Sequence, residues 1–331
     1  MIQQLSVFLS QTTNPYENLA TEEFLTFHTE PGECILFLWQ NARTVVIGRN
    51  QNCWKECRVA ELEADGGHLA RRLSGGGAVY HDLGNLNFTF CMKKTDADVP
   101  RQMQVIIRAV ASFGLDAQAT GRNDAAIDGR KFSGNAFFDS QGCYYHHGTL
   151  LLDVDTAAMS RFLHPSRSKL ASKGVDSVRS RVVNLSTLCP DITAEAMKQT
   201  MIHSFSQVYH LPVSRFLEER LDRNEISRRT LYFDSREWKY GRRIPFTNRM
   251  AAHFDWGEAE FTVQVNRGII ETAFLSSDAM EYRWFADIGP QFAGCPYEVH
   301  AIQTTLANIL KERNVPDRIC HNLCDTIREQ L

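Results

Sequence analysis

The 331-residue sequence has no apolar run long enough to cross a membrane. Its first twenty residues also lack the basic segment and the long apolar segment of a signal peptide. We therefore expect a cytoplasmic protein that makes no contact with membranes. An excess of basic residues is absent as well, because 36 Lys and Arg stand against 39 Asp and Glu, for a net charge of −3. This balance argues against a nucleic-acid binder that relies on a basic field.

The cysteines form no CxxC pair. There are nine, an odd number scattered through a long chain, which favours reduced cytosolic thiols over a disulfide framework. Two pairs, Cys53 with Cys57 and Cys320 with Cys324, are four residues apart. Cysteines at this spacing on a helix are usually buried small apolar groups. We predict no metal–cysteine site.

Helix and strand patterns alternate along the first two thirds of the chain. The segment NPYENLATEEFLTF predicts a helix with Asn14 as its N-cap and Pro15 in its first turn. The runs CILFLWQ and TVVIG predict strands buried on both faces, and NLNFTF alternates apolar with polar positions. The segment PRQMQVIIRAVASFG predicts a second helix that stops at Gly114. We expect an α+β fold with a mixed, mostly antiparallel sheet.

The length of the chain favours two domains. The basic stretch KYGRRIPFTN, from Lys239 to Asn248, contains Gly and Pro and is typical of a linker. After it, AEFTVQVNRGIIETAF alternates around a turn at 266–268, and amphipathic helices follow. We predict a first domain over 1–244 that carries the chemistry, and a small α+β accessory domain over 245–331.

Three consecutive glycines stand after two arginines and a serine in RRLSGGGAVYHD, residues 71–82. Glycines leave backbone N–H groups free to form a concave anion site, and an arginine guanidinium suits phosphate or carboxylate. The segment is neither a Walker A loop nor a dinucleotide fingerprint, because no Gly-Lys-Ser/Thr and no helix follow. It predicts an anion site, with a flexible surface loop as the alternative. His81 and Asp82 either contact the ligand or hold the turn together as a pair.

A second polar segment, GRNDAAIDGRKFSG, has Asp-Gly between two extended runs, which is a strong hairpin signal. A two-residue turn there pairs Ala126 with Lys131, and Asp124 with Ser133. Paired residues share a face with the residues two positions along each strand. We therefore predict one face lined by Asp124, Ala126, Lys131 and Ser133. This mixture of groups suits a polar pocket, with a surface ion pair as the alternative.

A third segment, KGVDSVRSRVVNL, places three cations near serines and a glycine. These cations are Lys173, Arg179 and Arg181. A loop of this kind is able to close over phosphates. A solvated basic loop is the alternative.

Together these segments resemble the lipoate–protein ligases of the bacterial type, and HHGTLL (146–151) matches a further segment of that family. The resemblance runs from about Asn14 to Leu185 and continues weakly through FDWGEAEFTVQVNRGII. It implies a catalytic fold like that of the biotin ligases, followed by an accessory domain. It also implies two steps, in which lipoate and ATP with Mg²⁺ give lipoyl-adenylate and pyrophosphate, and the lipoyl group then moves to a lysine. The acceptors would be lipoyl-carrier domains of 2-oxoacid dehydrogenase E2 subunits and the glycine cleavage H protein. We expect the ligase to act as a monomer.

The resemblance also implies roles for individual residues. Lys131 would be catalytic and would contact both ATP and the lipoate carboxyl, and Asp124 would bind the metal. ATP and lipoyl-adenylate would be bound by Arg72, Gly75, Gly76, Gly77, Ala78, Val79, Tyr80, Asn123, Asp124, Lys131 and Ser133. Lipoate would be bound by Arg72, Ser74, His81, Lys131, His147 and Gly148. Lys173, Arg179 and Arg181 would belong to a loop over the adenylate. Apolar walls for the acyl chain would come from Leu73, Val79, Tyr80 and His147.

Two other functions use related sequences. An octanoyltransferase on the same fold would take its acyl group through a cysteine thioester and would not need ATP. Cys91 and Cys143 lie near the predicted sheet, but neither stands in a recognisable nucleophile setting, and we interpret both as core cysteines. The other alternative is a non-catalytic lipoate-binding protein. The presence of Lys131 and Asp124 argues against it.

Overall fold

The computed structural model describes residues 1–120, 123–163, 182–240 and 248–331. The chain divides into two compact units. The first unit comprises Met1–Val46, Cys57–Arg71 and Val79–Lys239, and the second comprises Ile47–Glu56, Arg72–Ala78 and Tyr240–Leu331. The predicted domain boundary at 244/245 falls within 241–247, outside the described residues.

Helices and mixed sheets together confirm the predicted α+β class. Within the described ranges the strands are β1 (Gln4–Leu9), β2 (Glu33–Trp39), β3 (Thr44–Ile47), β4 (His68–Arg71), β5 (Val79–His81), β6 (Asn85–Lys93), β7 (Gln118–Thr120), β8 (Asp124–Ile127), β9 (Arg130–Ser140), β10 (Cys143–Leu151), β11 (Val213–Arg215), β12 (Asn248–Phe254), β13 (Gly257–Asn266) and β14 (Ile269–Ser277). The α-helices there are α1 (Pro15–Phe27), α2 (Cys53–Glu56), α3 (Val59–Ala64), α4 (Val99–Ala111), α5 (Thr156–Phe162), α6 (Ala194–Tyr209), α7 (Arg223–Asp234), α8 (Arg236–Tyr240), α9 (Val299–Glu312) and α10 (Asp317–Gln330).

The main sheet of the first unit has eight strands in the order β11-β1-β2-β6-β10-β9-β8-β7. Strand β1 pairs in parallel with β2 and with β11. Every later pair, from β2 with β6 through to β7 with β8, is antiparallel. The sheet is therefore mostly antiparallel, as predicted. A smaller sheet has the order β4-β3-β5.

Helices cover both faces of the main sheet. On one face, Phe88 and Phe90 of β6 join a core with residues of α4 and α6, including Phe205. On the other face, Thr89 donates a hydrogen bond to Glu22 of α1. All seven residues of β2 are buried as a result, which confirms that CILFLWQ is a strand covered on both sides.

The start of α1 also agrees with the sequence. The side chain of Asn14 accepts a hydrogen bond from the backbone N–H of Tyr16 at 2.9 Å, and Pro15 lies in the first turn. This cap satisfies a backbone donor that a helix end otherwise leaves without a partner. Helix α4 ends before Gly114, which has a φ of +78° and so suits a helix stop.

The second unit contains the antiparallel sheet β12-β13-β14 together with α9 and α10. The predicted turn between β13 and β14 is present, with φ of +50° at Arg267 and +77° at Gly268. Positive φ at both central residues matches the twist of a two-residue hairpin. The helix α10 places Cys320 and Cys324 against the apolar core of this unit. All nine cysteines are free thiols, and none of the described helices is long and apolar enough to span a membrane.

Candidate active site

The β8–β9 hairpin forms at the predicted turn. Asp128 and Gly129 have φ of +49° and +73°, the two positive values that an Asp-Gly turn of this type requires. Ala126 pairs with Lys131 and Ile127 with Arg130, as predicted. The hairpin therefore directs Lys131 to the same face as Asp124 and Ala126.

The predicted pairing of Asp124 with Ser133 is wrong. The register shifts between Ala125 and Ala126, so that Asp124 pairs with Gly134 and Ala125 pairs with Ser133. The extra residue on β9 is Phe132, which is fully buried in the core of the first unit. Ser133 is also fully buried, and the Asn135 amide donates to its hydroxyl at 3.5 Å. A glycine, rather than a hydroxyl, thus stands opposite Asp124.

The Lys131 ammonium lies 2.7 Å from the Asp124 carboxylate. About 40% of the Lys131 side chain and 36% of the Asp124 side chain are exposed, while the Asp124 oxygen that contacts Lys131 is itself buried. The backbone of Lys131 also has a partner besides β8, because its carbonyl accepts a hydrogen bond from the Val183 N–H at 2.9 Å. The structure therefore places a partly exposed cationic group on a strand whose backbone is hydrogen-bonded at this position.

Gly134 leaves the space in which the Lys131 ammonium lies, and Gly148 allows close packing beside Gly134. A Cβ atom at Gly134 would lie 2.9 Å from the Lys131 Nζ and 3.0 Å from its Cε. A Cβ atom at Gly148 would lie 2.5 Å from the Phe88 ring and 2.8 Å from the Gly134 carbonyl oxygen. Any side chain at Gly134 would consequently push the ammonium aside, and any side chain at Gly148 would separate β9 from β10. Gly148 was assigned to lipoate binding, and the contact that the structure gives it is this close strand packing.

Asn123 and Asn135 brace the strand next to Lys131. Each amide donates to the backbone carbonyl of the other residue at 3.0 Å. The Asn135 side-chain oxygen also lies 2.8 Å from His146 Nε2, and His146 Nδ1 lies 2.9 Å from the Gln102 side chain. Burial, assisted by the neighbouring His147, lowers the pKa of His146 to about 3. His146 is therefore a neutral ring within a buried network, and Asn123 takes part in that network.

His147 points to the opposite face of β10 and belongs to a second network. Its Nδ1 lies 2.8 Å from Glu22 of α1, and Glu22 also accepts from the Thr89 hydroxyl at 2.7 Å. The indole N–H of Trp39 donates to the Thr89 hydroxyl at 3.0 Å. This network fixes the orientation of the imidazole that the sequence assigned to the lipoate site.

His81 and Asp82 each contact residues of other segments. The Asn41 amide nitrogen lies 3.2 Å from His81 Nδ1. Asp82 accepts from the backbone N–H of Gly84 at 2.8 Å and of Asp155 at 2.9 Å. Asp82 therefore stabilises the turn through backbone N–H groups. Val79 and Tyr80 lie on β5 beside β3, where burial raises the pKa of Tyr80 to about 12.

The glycine loop, defined here as Arg72–Ala78, belongs to the second unit. The Arg72 guanidinium turns back on the loop, where it donates to the Gly75 carbonyl at 2.6 Å and to the Gly77 carbonyl at 2.8 Å. It also donates to the Ser74 hydroxyl at 3.0 Å. Arg72 thus determines the shape of the loop, and its contact with a ligand stays a prediction.

The conformation of the loop explains part of the triple glycine. Gly76 has a φ of +86°, and a Cβ atom at Gly75 would lie 2.4 Å from the carbonyl oxygens of Ala279 and Met280. Gly77 is different, because a Cβ atom there would meet nothing within 4 Å. Two of the three glycines are therefore required by the structure of the loop, and Gly77 leaves open space beside the backbone.

Arg71 has a different role from Arg72. Its guanidinium donates to the backbone carbonyls of Trp238 and Lys239 at 2.8 and 3.0 Å, and the Trp238 indole N–H donates to the Arg71 carbonyl at 2.8 Å. Arg71 consequently stabilises the end of α8, although the sequence presents it as a second anion-binding cation.

The cations predicted to cover the adenylate, Lys173, Arg179 and Arg181, lie outside the described residues. The metal assignment to Asp124 stays a prediction. No group of three or more His, Cys, Asp or Glu suited to a metal ion occurs within 1–120, 123–163, 182–240 and 248–331.

Sequence reasoning missed Gly134 as a neighbour of Lys131, and Thr149 as the partner of Gly134. The Gly134 N–H donates a hydrogen bond to the Thr149 hydroxyl oxygen at 3.3 Å. A signal for Gly134 was present, since an isolated glycine inside a strand marks a bulge or a close approach. Thr149 is two residues beyond His147 on the same strand and so shares its face.

Comparisons with known proteins agree with this architecture. The family described as lipoyl protein ligase A/B catalytic domain matches residues 14–206, and the bacterial lipoate protein ligase C-terminus matches residues 243–326. Lipoate-protein ligase A of Bdellovibrio bacteriovorus is 38% identical over 315 residues, with 93% of each chain covered. Lipoate-protein ligase A of Psychrobacter cryohalolentis is 36% identical over 308 residues, with 91% of each chain covered. The chain therefore belongs to the lipoyl protein ligase family.

Two similar solved structures cover 93% and 73% of this chain. The structure of P. falciparum LipL1 in complex with lipoate is 27% identical with a TM-score of 0.79, and it covers 93% of this chain and 98% of that chain. A lipoate-protein ligase A bound with ATP is 25% identical with a TM-score of 0.63, covering 73% of this chain and 99% of that chain. The family to which the present chain belongs, together with its relatives, defines it as an enzyme, a lipoate–protein ligase.

The neutral His146 predicts a pH dependence of stability. Its folded pKa of about 3 lies below the ordinary 6.5, so the unfolded chain takes up a proton below pH 6.5 while the folded chain does not. The free energy of unfolding therefore falls as the pH is lowered through this window, by about 1.4 kcal/mol per pH unit for this group. His146→Gln removes the titrating ring and should reduce the slope by about that amount.

Urea unfolding between pH 4.5 and 6.5 measures this slope for both proteins. The matched control is His203→Gln, which changes an exposed histidine of α6 and should keep the slope of the wild type. An unchanged slope in His146→Gln would show that His146 is protonated in the folded protein.

Proposed function

We propose that the protein is an ATP-dependent ligase that activates lipoate and then transfers it to a lysine of a lipoyl-carrier domain. In the first step the lipoate carboxylate attacks the α-phosphorus of ATP, the bond to the bridging oxygen breaks, and pyrophosphate leaves. In the second step the lysine amine attacks the acyl carbon, loses a proton, and releases AMP. The observation that carries the proposal is the Lys131 ammonium, held at a glycine-cleared position beside Asp124.

Lys131 supplies what the first step needs most. A carboxylate and a polyphosphate repel each other, and a positioned cation offsets this repulsion most strongly as the two anions come together in the transition state. The fixed backbone of Lys131 and the open position of its ammonium suit this role. No side-chain nucleophile is required, because the adenylate is already an activated acyl group.

Asp124 fits a place near Mg²⁺. The ion is usually held by one or two carboxylates together with substrate phosphates and water, and Asp124 is a half-exposed carboxylate beside the cation that would contact the same phosphates. Mg²⁺ would supply charge neutralisation on the phosphate oxygens. We keep the glycine-loop residues, Ser74 among them, together with His81 and His147, as the predicted contacts of lipoyl-adenylate.

The names of similar structures support the substrates and the acceptor. LipL1 of P. falciparum was solved with lipoate, and another ligase was solved with ATP. A third structure comes from a study of an archaeal lipoylation system, a bipartite lipoate protein ligase and its E2 lipoyl domain from Thermoplasma acidophilum. It has a TM-score of 0.64 and 26% identity, and it covers 75% of this chain and 100% of that chain. We propose E2 lipoyl domains as acceptors here, and the glycine cleavage H protein as a second acceptor.

The thioester route receives no support from the described cysteines near the sheet. Cys91 is fully buried and accepts from the Thr26 hydroxyl at 3.4 Å, and burial raises the pKa of its thiol. Cys143 is buried too, and its thiol lies 3.8 Å from the Phe27 carbonyl oxygen. A nucleophilic cysteine needs access and a lowered pKa.

The first test is exchange of labelled pyrophosphate into ATP. We expect exchange that requires both lipoate and Mg²⁺, because adenylation is reversible and needs no acceptor protein. The measurement uses folded full-length protein at millimolar ATP and lipoate. Exchange that proceeds without lipoate, or no exchange at all, would contradict the proposed function.

The second prediction concerns the charge at Lys131. Lys131→Met should lower the exchange rate about 10²–10³-fold, the usual cost of losing one positioned electrostatic group, and should leave the melting temperature nearly unchanged. Arg130→Met is the matched control, because it removes the neighbouring cation at the hairpin turn and should keep most of the activity. Equal losses in the two variants would mean that only the total charge of the hairpin matters.

The third prediction concerns the space at Gly134. Gly134→Ala places a methyl group where the Lys131 ammonium lies, so the exchange rate should fall at least tenfold. Stability should change little, because the displaced atoms are the flexible end of a side chain. Gly129→Ala is the control. Its added methyl group strains the turn at positive φ but meets no atom within 4 Å. A Gly134→Ala enzyme with wild-type activity would show that the position of the ammonium is unimportant.

A further inference from the structure

One turn of the second unit lies directly on the glycine loop. This turn, Ser277–Met280, follows the end of β14. The carbonyl of Ala279 accepts a hydrogen bond from the Gly76 N–H at 3.2 Å. The Met280 sulfur lies 3.2 Å from the position that a Cβ atom at Gly76 would take. The backbone amide and the open face of Gly76 are thus both covered by the same turn.

The turn is held in this shape by its own hydrogen bonds. The Ala279 N–H donates to the Ser277 hydroxyl at 3.0 Å, and the Ser277 N–H donates to the Asn50 carbonyl at 3.2 Å. The Asn50 amide donates to the Tyr282 carbonyl at 2.7 Å. Asn50, the turn and the glycine loop all belong to the second unit. The contact with Gly76 is therefore supported by these hydrogen bonds, to which the Ser277 hydroxyl contributes, and by the Met280 side chain that lies beside Gly76.

This arrangement uses the groups that an anion would need. Backbone N–H groups in glycine loops bind anions, but the Gly76 N–H already donates to a carbonyl. The Arg72 guanidinium likewise donates to the carbonyls of Gly75 and Gly77. A phosphate oxygen and the Ala279 carbonyl compete for one hydrogen atom, so they cannot both be bound well by Gly76.

We propose that the Ala279–Met280 turn competes with the nucleotide for the glycine loop, and that Met280 is a positioning residue that keeps the turn in place. The proposal rests on the proposed function, because it takes the glycine loop to bind the phosphate of ATP and of the adenylate. Binding of nucleotide then requires release of the turn. We therefore expect the wild type to bind ATP more weakly than it would if the turn did not contact the glycine loop.

Met280→Ala tests the proposal by removing the side chain that covers Gly76. The dissociation constant for ATP, measured by calorimetry, should fall about two- to tenfold, since a competing hydrogen bond of ordinary net strength is weakened. Hydrogen–deuterium exchange of the peptide that contains Gly76 should become faster in the absence of nucleotide. Met280→Leu is the matched control, because it refills most of the space and should behave as the wild type does in both measurements.

Ser277→Ala provides a second, independent variant that removes the hydroxyl acceptor of the Ala279 N–H. It should shift ATP binding in the same direction, and both variants are checked for an unchanged melting temperature. Unchanged or weaker ATP binding in a folded Met280→Ala or Ser277→Ala protein would overturn the competition. A Gly76 amide that exchanges at the unprotected rate in the wild type would also overturn it. Wild-type protein that binds ATP without pyrophosphate exchange would instead contradict the proposed function alone.

Discussion

A single extra residue in the β8–β9 hairpin determines which groups meet at Lys131. The strands pair normally beside the Asp128–Gly129 turn, and the register then shifts by one residue at Phe132. Phe132 is buried in the core, so the shift is stabilised by apolar packing rather than by the site itself. Its consequence is chemical, because Gly134 instead of Ser133 stands opposite Asp124. The glycine leaves the room in which the ammonium of Lys131 lies.

Neutral polar groups brace the strand that carries Lys131. The Asn123–Asn135 bracket and the ring of His146 connect β9, β10, α4 and the residue before β8 through hydrogen bonds whose members are largely buried. Buried polar networks of this kind stabilise one arrangement when their members are satisfied. Because His146 stays neutral, the network adds no second cation to this part of the sheet. The geometry of the strand and the charge of the site are therefore controlled by different residues.

The sequence predicted those features that local chemistry controls. Asp128 and Gly129 suit positive φ wherever the chain places them, and Asn14 caps its own helix, so both were identified correctly. The bulge at Phe132 escaped prediction because it depends on the core against which that ring packs. Contacts between distant residues were also missed, such as Glu22 with His147, 125 positions apart. Arg71 and Arg72 are adjacent and chemically identical, and only the folded chain shows that one holds α8 and the other shapes the glycine loop.

The eight-stranded sheet ends in a strand of only three residues on each side, β7 and β11. The outer strand of a sheet offers unpaired N–H and C=O groups, and long apolar outer strands promote aggregation between molecules. All three residues of β7 are exposed and apart from one alanine they are polar, while β11 ends in the exposed Arg215. Neither border offers much backbone to another chain. The interior strands, including the fully buried β2, are in this way able to be strongly apolar without making the sheet a template for aggregation.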